Sequence, residues 1–136
     1  MKKTILVVDD DDDAREVTAL SLQTVAGWDV LEAYCGLQGI ECAMLNQPDA
    51  ILLDVMMPAM DGPAILQKLK AARSTAHIPV VLLTARVRPS ERRTLARLPV
   101  EAILSKPFDP LQLADQVAEA LGWPANSVSE RCSSAV

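Results

Sequence analysis

Near its start the chain reads Ile5-Leu6-Val7-Val8-Asp9-Asp10, four consecutive apolar residues followed at once by two carboxylates. The apolar residues form an unbroken run and do not alternate with polar ones. Such a run is typical of a strand that is buried on both faces, as in a parallel sheet covered by helices on its two sides. This segment therefore predicts a buried parallel strand whose carboxyl end is marked by Asp9 and Asp10.

The rest of the chain repeats this alternation of a short apolar run and a helical pattern. The further apolar runs are Val30–Ala33, Ile51–Leu53, Ile78–Leu83 and Val100–Leu104. The helical patterns cover about residues 13–26, 36–47, 63–73, 90–98 and 109–121. Five strands alternating with five helices predict an α/β fold, a doubly wound five-stranded parallel sheet with helices on both faces.

Local signals place the ends of two helices. Asp12 or Asp13 is predicted to cap the first helix, because a side-chain oxygen at that position can accept from the free backbone N–H groups of the first turn. Asp109 is predicted to cap the last helix for the same reason. Gly27 is expected to stop the first helix in a left-handed conformation, and Gly122 is expected to end the last.

The composition bounds the class of protein. The chain has 136 residues, 50% of them hydrophobic, which suits one domain with a sizeable core. We place this domain at residues 1–122 and a flexible tail at residues 123–136. The three cysteines, Cys35, Cys42 and Cys132, form no C-x-x-C pair, so a reducing cytoplasm is expected. The longest apolar runs are strand-sized, and no membrane-spanning segment is predicted.

Charge is divided unevenly along the chain. Residues 1–62 hold twelve acids and three bases, a balance of −9, and residues 63–136 hold six acids and ten bases, a balance of +4. The total of −5 gives no bulk attraction to nucleic acid or anionic lipid. Five arginines surround the fourth predicted helix: Arg86, Arg88, Arg92, Arg93 and Arg97. They form either a solvated face or a docking surface for an acidic partner, and no aromatic residue lies among them to stack on a base.

Chemically active side chains follow the predicted strands. Asp9 and Asp10 follow the first strand, Asp54 the third, Thr84 the fourth and Lys106 the fifth. Ligands of open parallel sheets bind at the carboxyl ends of the strands, so we expect these side chains to meet there. Two carboxylates about 4 Å apart repel by roughly 4 kcal/mol at an effective dielectric near 20, so the cluster must take up protons or bind a cation. Oxygen ligands without thiolate or imidazole favour Mg²⁺, and the lysine and threonine can meet a phosphoryl group on one aspartate.

Four segments together resemble the receiver (CheY-like) domain of two-component response regulators. They are Ile5–Asp10, Ile51–Gly62, Val80–Ala85 and Ser105–Phe108, and they occur in the order and spacing of that family. The resemblance implies a flavodoxin-like sheet with strand order 2-1-3-4-5. It also implies a Mg²⁺-dependent reaction with a histidine kinase or a histidine phosphotransfer protein.

The same resemblance assigns a role to each candidate residue. Asp54 would be the phosphoacceptor, Thr84 the switching hydroxyl and Lys106 the partner of the phosphoryl group. The Mg²⁺ ligands would be Asp9, Asp10, Asp54 and the backbone carbonyl of Met56.

One position departs from the family pattern. Ile103 lies three residues before the lysine, where the family usually has an aromatic residue, so the usual aromatic rotamer switch cannot operate unchanged. We expect a stand-alone signalling switch that acts on a downstream protein target through the face formed by helix four, strand five and helix five. Neither direct DNA binding nor membrane association is expected.

Three alternatives remain open. The protein could be a phosphorelay intermediate that passes its phosphoryl group to a histidine phosphotransfer protein. It could also be a receiver that no longer switches and serves as a scaffold. A third alternative, a Mg²⁺ phosphohydrolase, is disfavoured because the chain lacks the cap expected of the common aspartate-nucleophile phosphatases. In the favoured interpretation the protein is not an enzyme beyond its own phosphorylation and dephosphorylation.

Overall fold

The computed structural model describes residues 3–55, 62–84, 89–106 and 108–123. The strands in this part of the chain are β1 Thr4–Val8, β2 Asp29–Ala33, β3 Ala50–Asp54, β4 Val80–Thr84 and β5 Ala102–Ser105. The α-helices are α1 Asp12–Ser21, α2 Gly36–Asn46, α3 Gly62–Ala71, α4 Pro89–Ala96 and α5 Leu113–Leu121. Helix α1 continues directly into a π-helical turn at Leu22–Ala26.

The five strands form one parallel sheet in the order β2-β1-β3-β4-β5. The predicted fold class and strand order are confirmed. Strand β1 pairs with β2 on one side and with β3 on the other, so Val8 lies opposite both Ala33 and Leu53. The direction of winding reverses between β1 and β3, and a crevice is expected at their carboxyl ends.

The sheet is buried on both faces. Leu6 and Val8 of β1 belong to a core cluster with residues of α2, α3 and α4, whereas Ile5 and Val7 belong to a second cluster with residues of the π-helical turn and α5. All four side chains are buried. Because successive strand residues point to opposite faces, this division explains why the run does not alternate with polar residues.

Helix α1 begins at a different cap from the predicted one. Oδ1 of Asp11 accepts hydrogen bonds from the backbone N–H groups of Asp13 at 3.0 Å and Ala14 at 3.2 Å. The prediction of Asp12 or Asp13 as cap was therefore wrong. The backbone of Asp11 is extended, as a cap requires, whereas Asp12 and Asp13 already lie in the helix.

Helix α5 begins later than predicted. Asp109 does accept from a free backbone group, because its Oδ1 bonds the N–H of Leu111 at 2.9 Å. Its carbonyl also accepts from the N–H groups of Gln112 and Leu113. These bonds close a turn, and the regular helix starts behind that turn at Leu113. Asp109 therefore caps this turn, and the prediction that it caps the helix itself was wrong.

The structure explains why glycine occupies three of the described positions. Gly27 and Gly122 adopt left-handed conformations, with φ of 73° and 70°, and end their helices as predicted. Gly39 instead permits close packing, since a Cβ atom there would lie 2.9 Å from Cγ2 of Val8. Helix α2 thus packs closely against β1 at Val8, the residue that precedes Asp9.

The last described residue packs at the amino ends of the strands. The ring centroid of Trp123 lies 5.0 Å from that of Trp28, with an interplanar angle of 87°, and Nζ of Lys3 lies 5.1 Å from the ring of Trp123. Trp28 immediately precedes β2, so this cluster lies at the edge of the sheet opposite Asp9. The remainder of the predicted tail, residues 124–136, lies outside the described residues.

Candidate functional site

Three carboxylates meet at the carboxyl ends of β1 and β3. Asp9 and Asp10 follow β1, and Asp54 is the last residue of β3. One carboxylate oxygen from each lies within 4.8 Å of the other two. Asp9 and Asp54 are only 1% and 5% exposed, whereas Asp10 is exposed to solvent. The cluster therefore offers two fixed, buried oxygen ligands and one at its open side, an arrangement that can hold a metal ion.

Lys106 extends into this cluster from the residue after β5. Its Nζ donates to Oδ2 of Asp9 at 2.9 Å and lies 3.5 Å from Oδ2 of Asp54. Burial by itself lowers the pKa of Lys106, but the hydrogen bond to Asp9 and the charge of Asp54 outweigh it, so the pKa is raised. Lys106 is therefore a permanent cation at neutral pH and offsets part of the carboxylate charge.

Asp9 is hydrogen-bonded through its backbone and through both carboxylate oxygens. Its N–H continues the β1–β2 ladder by donating to the carbonyl of Ala33 at 3.1 Å. Its own carbonyl accepts from Nη1 of Arg15 at 2.9 Å. Oδ1 accepts from the N–H of Asp11 at 3.0 Å, while Oδ2 accepts from Lys106. A buried carboxylate is tolerated when it is paired in this way, and Asp9 is thereby oriented in advance of any ligand.

Thr84 lies at the same edge of the sheet. It is the last residue of β4, is fully buried and lies opposite Ser105 of β5. On the other side of β4, the preceding residue Leu83 lies opposite Asp54 of β3. The carbonyl of Thr84 accepts from the N–H of Lys106 at 2.7 Å, which fixes the end of β5 against β4. The structure thus brings all five residues predicted for the site to one edge, and the side chains of Asp9, Asp10, Asp54 and Lys106 meet there.

Three predicted positions lie outside the described residues. They are Met56, whose carbonyl was predicted as a metal ligand, and Arg86 and Arg88 of the basic stretch. Arg93 on α4 and Arg97 just after it are described, and both are exposed.

Ile103 supports the fourth helix from β5. It lies opposite Leu82 of β4, is half-buried and packs on the core cluster that contains Leu95 of α4. An aliphatic side chain thus packs on the cluster shared with α4 at the position where the family pattern suggested an aromatic ring.

Arg15 contacts the site although the sequence pattern predicted no role for it. Besides the carbonyl of Asp9, its guanidinium contacts Oδ1 of Asp12 at 2.6 Å and Oε1 of Glu32 at 3.4 Å. The available signal was its position in the first turn of α1, since a long helical side chain points back towards the amino terminus of its helix and here reaches the end of β1.

The strand order and the acidic crevice with its lysine define a flavodoxin-like α/β protein with a ligand site at the switch point of its sheet. A family model, the response regulator receiver domain, matches residues 5–118. The chain belongs to this family.

Individual relatives agree with this assignment. The DNA-binding dual master transcriptional regulator RpaA of Synechocystis is 35% identical over 117 residues, which cover 86% of this chain and 48% of that protein. The structure of the chemotaxis response regulator CheY4 of Vibrio cholerae is 26% identical, with a TM-score of 0.80 and coverage of 88% of this chain and 99% of that one. The receiver domain of the sensor histidine kinase PA1611 from Pseudomonas aeruginosa PAO1, with a magnesium ion coordinated in its active site cleft, is 25% identical, with a TM-score of 0.79 and coverage of 90% and 99%. The chain spans about half the length of the curated relatives it matches.

Proposed function

We propose that this protein is a phosphorylation-dependent signalling switch in which Asp54 accepts a phosphoryl group from the phosphohistidine of a histidine kinase. The observation that carries the proposal is the position of Asp54, buried in the carboxylate cluster and 3.5 Å from Nζ of Lys106. An attacking carboxylate and an incoming phosphoryl group are both anionic, so their approach requires cations aimed at the developing charge. Lys106 would supply one cation, and a metal ion held by Asp9, Asp10 and Asp54 would supply the other.

The donor atoms fit Mg²⁺. They are carboxylate oxygens without sulfur or imidazole, and the exposed side of the cluster at Asp10 leaves room for water and phosphoryl oxygens. Asp9, Asp10 and Asp54 would hold the ion, together with the predicted carbonyl of Met56. Bound Mg²⁺ would neutralise charge on the phosphoryl oxygens. The magnesium ion named for the PA1611 receiver domain supports this assignment.

In the proposed reaction, a carboxylate oxygen of Asp54 attacks the phosphorus atom. A P–O bond to Asp54 forms while the P–N bond of phosphohistidine breaks, and the imidazole leaves. Lys106 then exchanges part of its contact with Asp9 for a phosphoryl oxygen, and the Thr84 hydroxyl donates to another. We propose no turnover of an external substrate, because the phosphoryl group remains on the protein until water removes it.

Phosphorylation would bias the face formed by α4, β5 and α5. A shift from 1:99 to 99:1 between two states requires about 5.5 kcal/mol of differential interaction, whereas one hydrogen bond to a charged group supplies roughly 1.5–3 kcal/mol. One such bond is therefore not enough for a shift of that size: either several contacts contribute, with those of Lys106 and Thr84 among them, or the shift is smaller. The exposed Arg93 and Arg97 support docking of an acidic downstream protein on this face.

The phosphoryl donor would dock beside α1. Three large apolar side chains are exposed there: Val17 and Leu20 on α1, and Leu111 in the turn before α5. The hydroxyl of Ser21 donates to the carbonyl of Pro110, which ties α1 to this turn. Both elements adjoin the crevice, so a helix that carries the donor histidine can bury these side chains while its imidazole faces Asp54.

We include neither DNA binding nor membrane association in the proposed function. RpaA is named as DNA-binding, but this chain spans 48% of it. We propose that the receiver domain itself does not bind DNA, because its net charge is −5. No helix within the described ranges is long and apolar enough to cross a membrane. The cytoplasmic location stays a prediction.

Labelling with acetyl phosphate in the presence of Mg²⁺ tests the proposal. Wild-type protein should acquire one phosphoryl group, and Asp54→Asn should acquire none. Asp49→Asn is the matched control, because Asp49 is exposed at the opposite edge of the sheet and accepts only from the N–H of Thr4 in the described part of the chain. Persistent labelling of Asp54→Asn would refute the assignment. Transfer from labelled protein to a histidine phosphotransfer protein, without binding of any downstream target, would favour the phosphorelay alternative.

A further inference from the structure

We propose that Arg15 is a positioning residue that holds the metal-binding end of β1 in place. This inference rests on the proposed Mg²⁺ site, and it adds to that site a residue that contacts neither the ion nor the phosphoryl group. Its action is exerted through the backbone of Asp9.

The guanidinium of Arg15 joins three parts of the chain. Nη1 donates to the carbonyl of Asp9 at 2.9 Å, Nη2 donates to Oδ1 of Asp12 at 2.6 Å, and Nε lies 3.4 Å from Oε1 of Glu32 on β2. The Arg15 side chain is only 16% exposed. The guanidinium group is planar and spreads its donors over three nitrogens in fixed directions, so it can hold such a set of oxygens more rigidly than an ammonium group, whose donors share one nitrogen.

Of these three contacts of Arg15, the hydrogen bond to the Asp9 carbonyl carries the proposed positioning role. The carboxylates of Asp12 and Glu32 are 82% and 44% exposed, and ion pairs to such groups contribute little. The Asp9 carbonyl instead lies at the point where the chain leaves the sheet, next to a buried carboxylate. Leaving it without a donor would cost free energy or require water to enter beside the site.

Without this donor the loop from Asp9 to Asp11 would lose the side-chain hydrogen bond to its first carbonyl. Another hydrogen bond of the same loop, from the N–H of Asp11 to Oδ1 of Asp9, itself occupies an oxygen of a proposed ligand. Arg15 therefore allows the Asp9 carboxylate to keep its orientation when a metal ion competes for its oxygens. Groups that orient metal ligands in this way commonly change metal affinity by 10- to 100-fold when they are removed.

The direction in which Mg²⁺ affinity changes when Arg15 is replaced distinguishes a positioning role from a purely electrostatic one. Arg15 is a cation beside a cation site, so removing its charge alone would strengthen Mg²⁺ binding. Removing a positioning group would weaken it. A variant that loses both the positive charge and the guanidinium N–H donors therefore shows whether the electrostatic or the positioning contribution is larger.

Calorimetric titration with MgCl₂ tests the inference on wild-type protein, Arg15→Met, Arg15→Lys and the control Glu32→Gln. We expect Arg15→Met to bind Mg²⁺ about 10-fold more weakly, Arg15→Lys to lie between it and wild type, and Glu32→Gln to remain within about 2-fold. The near-ultraviolet circular dichroism of the Trp28–Trp123 pair, at the opposite edge of the sheet, reports whether each variant is folded. If Arg15→Met does not fold, Arg15→Lys must still bind more weakly than wild type and show faster hydrogen exchange at the Asp11 amide.

The outcomes distinguish the two claims. Failure of wild-type protein to bind Mg²⁺ overturns the proposed function and this inference with it. Binding by wild type together with equal or tighter binding by the folded Arg15 variant overturns this inference alone.

Discussion

Nζ of Lys106 donates a 2.9 Å hydrogen bond to Oδ2 of Asp9, although 97 positions separate the two residues in the chain. The bond connects the ends of β5 and β1, which are separated in the sheet by β3 and β4. Lys106 therefore spans the crevice above Asp54, and its charge reaches both buried carboxylates of the site.

Loss of this cation should destabilise the metal-free protein. In Lys106→Met, Asp9 and Asp54 stay buried without their cation, and we expect a loss of about 2 kcal/mol in the free energy of unfolding. Added Mg²⁺ should reduce the difference from wild type, because it binds the folded state and no longer competes with the ammonium. Urea denaturation in EDTA and in MgCl₂ measures both effects, and Lys68→Met, on the exposed face of α3, is the control.

The difference in stability between wild type and Lys106→Met should depend on pH, because the pKa of Lys106 is raised in the folded protein. A lysine whose pKa is higher in the folded than in the unfolded state confers stability that is fully present below its unfolded value and is lost as pH rises through the folded value. The stability advantage of wild type over Lys106→Met in EDTA should therefore persist through neutral pH and decline only above the ordinary lysine value of 10.5. A decline between about pH 7 and 9 would show that the ion pair is not its source.

Removal of the Thr84 hydroxyl should separate phosphorylation from switching. Thr84→Ala should still be labelled at Asp54 by acetyl phosphate, because Thr84 is not proposed as nucleophile or metal ligand. The amide resonance of Leu95 on α4 should then shift far less on phosphorylation than in wild type. Thr84→Ser retains the hydroxyl and should respond like wild type, whereas a full response of Thr84→Ala would exclude the hydroxyl from the switch.

Gly39→Ala should destabilise the fold through a clash between α2 and β1. The new Cβ would lie 2.9 Å from Cγ2 of Val8, a buried β-branched residue with little freedom to turn, and we expect a cost of about 1–3 kcal/mol. A double-mutant cycle with Val8→Ala provides the check by urea denaturation. The double variant should be more stable than the sum of the single effects predicts; additive effects would mean that the two positions do not clash.

A charge on α1 should slow phosphotransfer without affecting the chemistry of Asp54. Leu20→Glu should lower the rate of transfer from a phosphorylated histidine kinase by about 10-fold, equivalent to 1.4 kcal/mol of lost docking energy. Labelling by acetyl phosphate should be unchanged, because that small donor needs no docking surface. Leu45→Glu, at an exposed position on α2, should alter neither rate. Equal effects of the two variants on the kinase reaction would contradict docking on α1.

The fold and most of the candidate site could be predicted because both depend on the ends of apolar runs. Val8 and Leu53 close runs that are buried on both faces, and a polar residue that follows such a run must lie at the carboxyl edge of the sheet. The positions of Asp9, Asp54 and Lys106 at one edge therefore follow from the topology alone.

Other features depend on geometry that no local pattern contains. Five consecutive aspartates have the same capping chemistry, and the choice of Asp11 follows from where β1 ends and how its N–H meets Asp9. The role of Arg15 depends on a backbone carbonyl, which every residue possesses. The π-helical turn at Leu22–Ala26 has no sequence signature of comparable strength.

A titration with Mg²⁺ followed by backbone amide resonances tests the central claim most directly. Millimolar Mg²⁺ should shift the amides of Asp9, Asp10 and Asp54 in a saturable manner, while the indole resonances of Trp28 and Trp123 at the opposite edge of the sheet stay unchanged. Absence of any shift at the three aspartates, or equal shifts at both edges, would contradict a divalent-cation site at the carboxyl ends of β1 and β3.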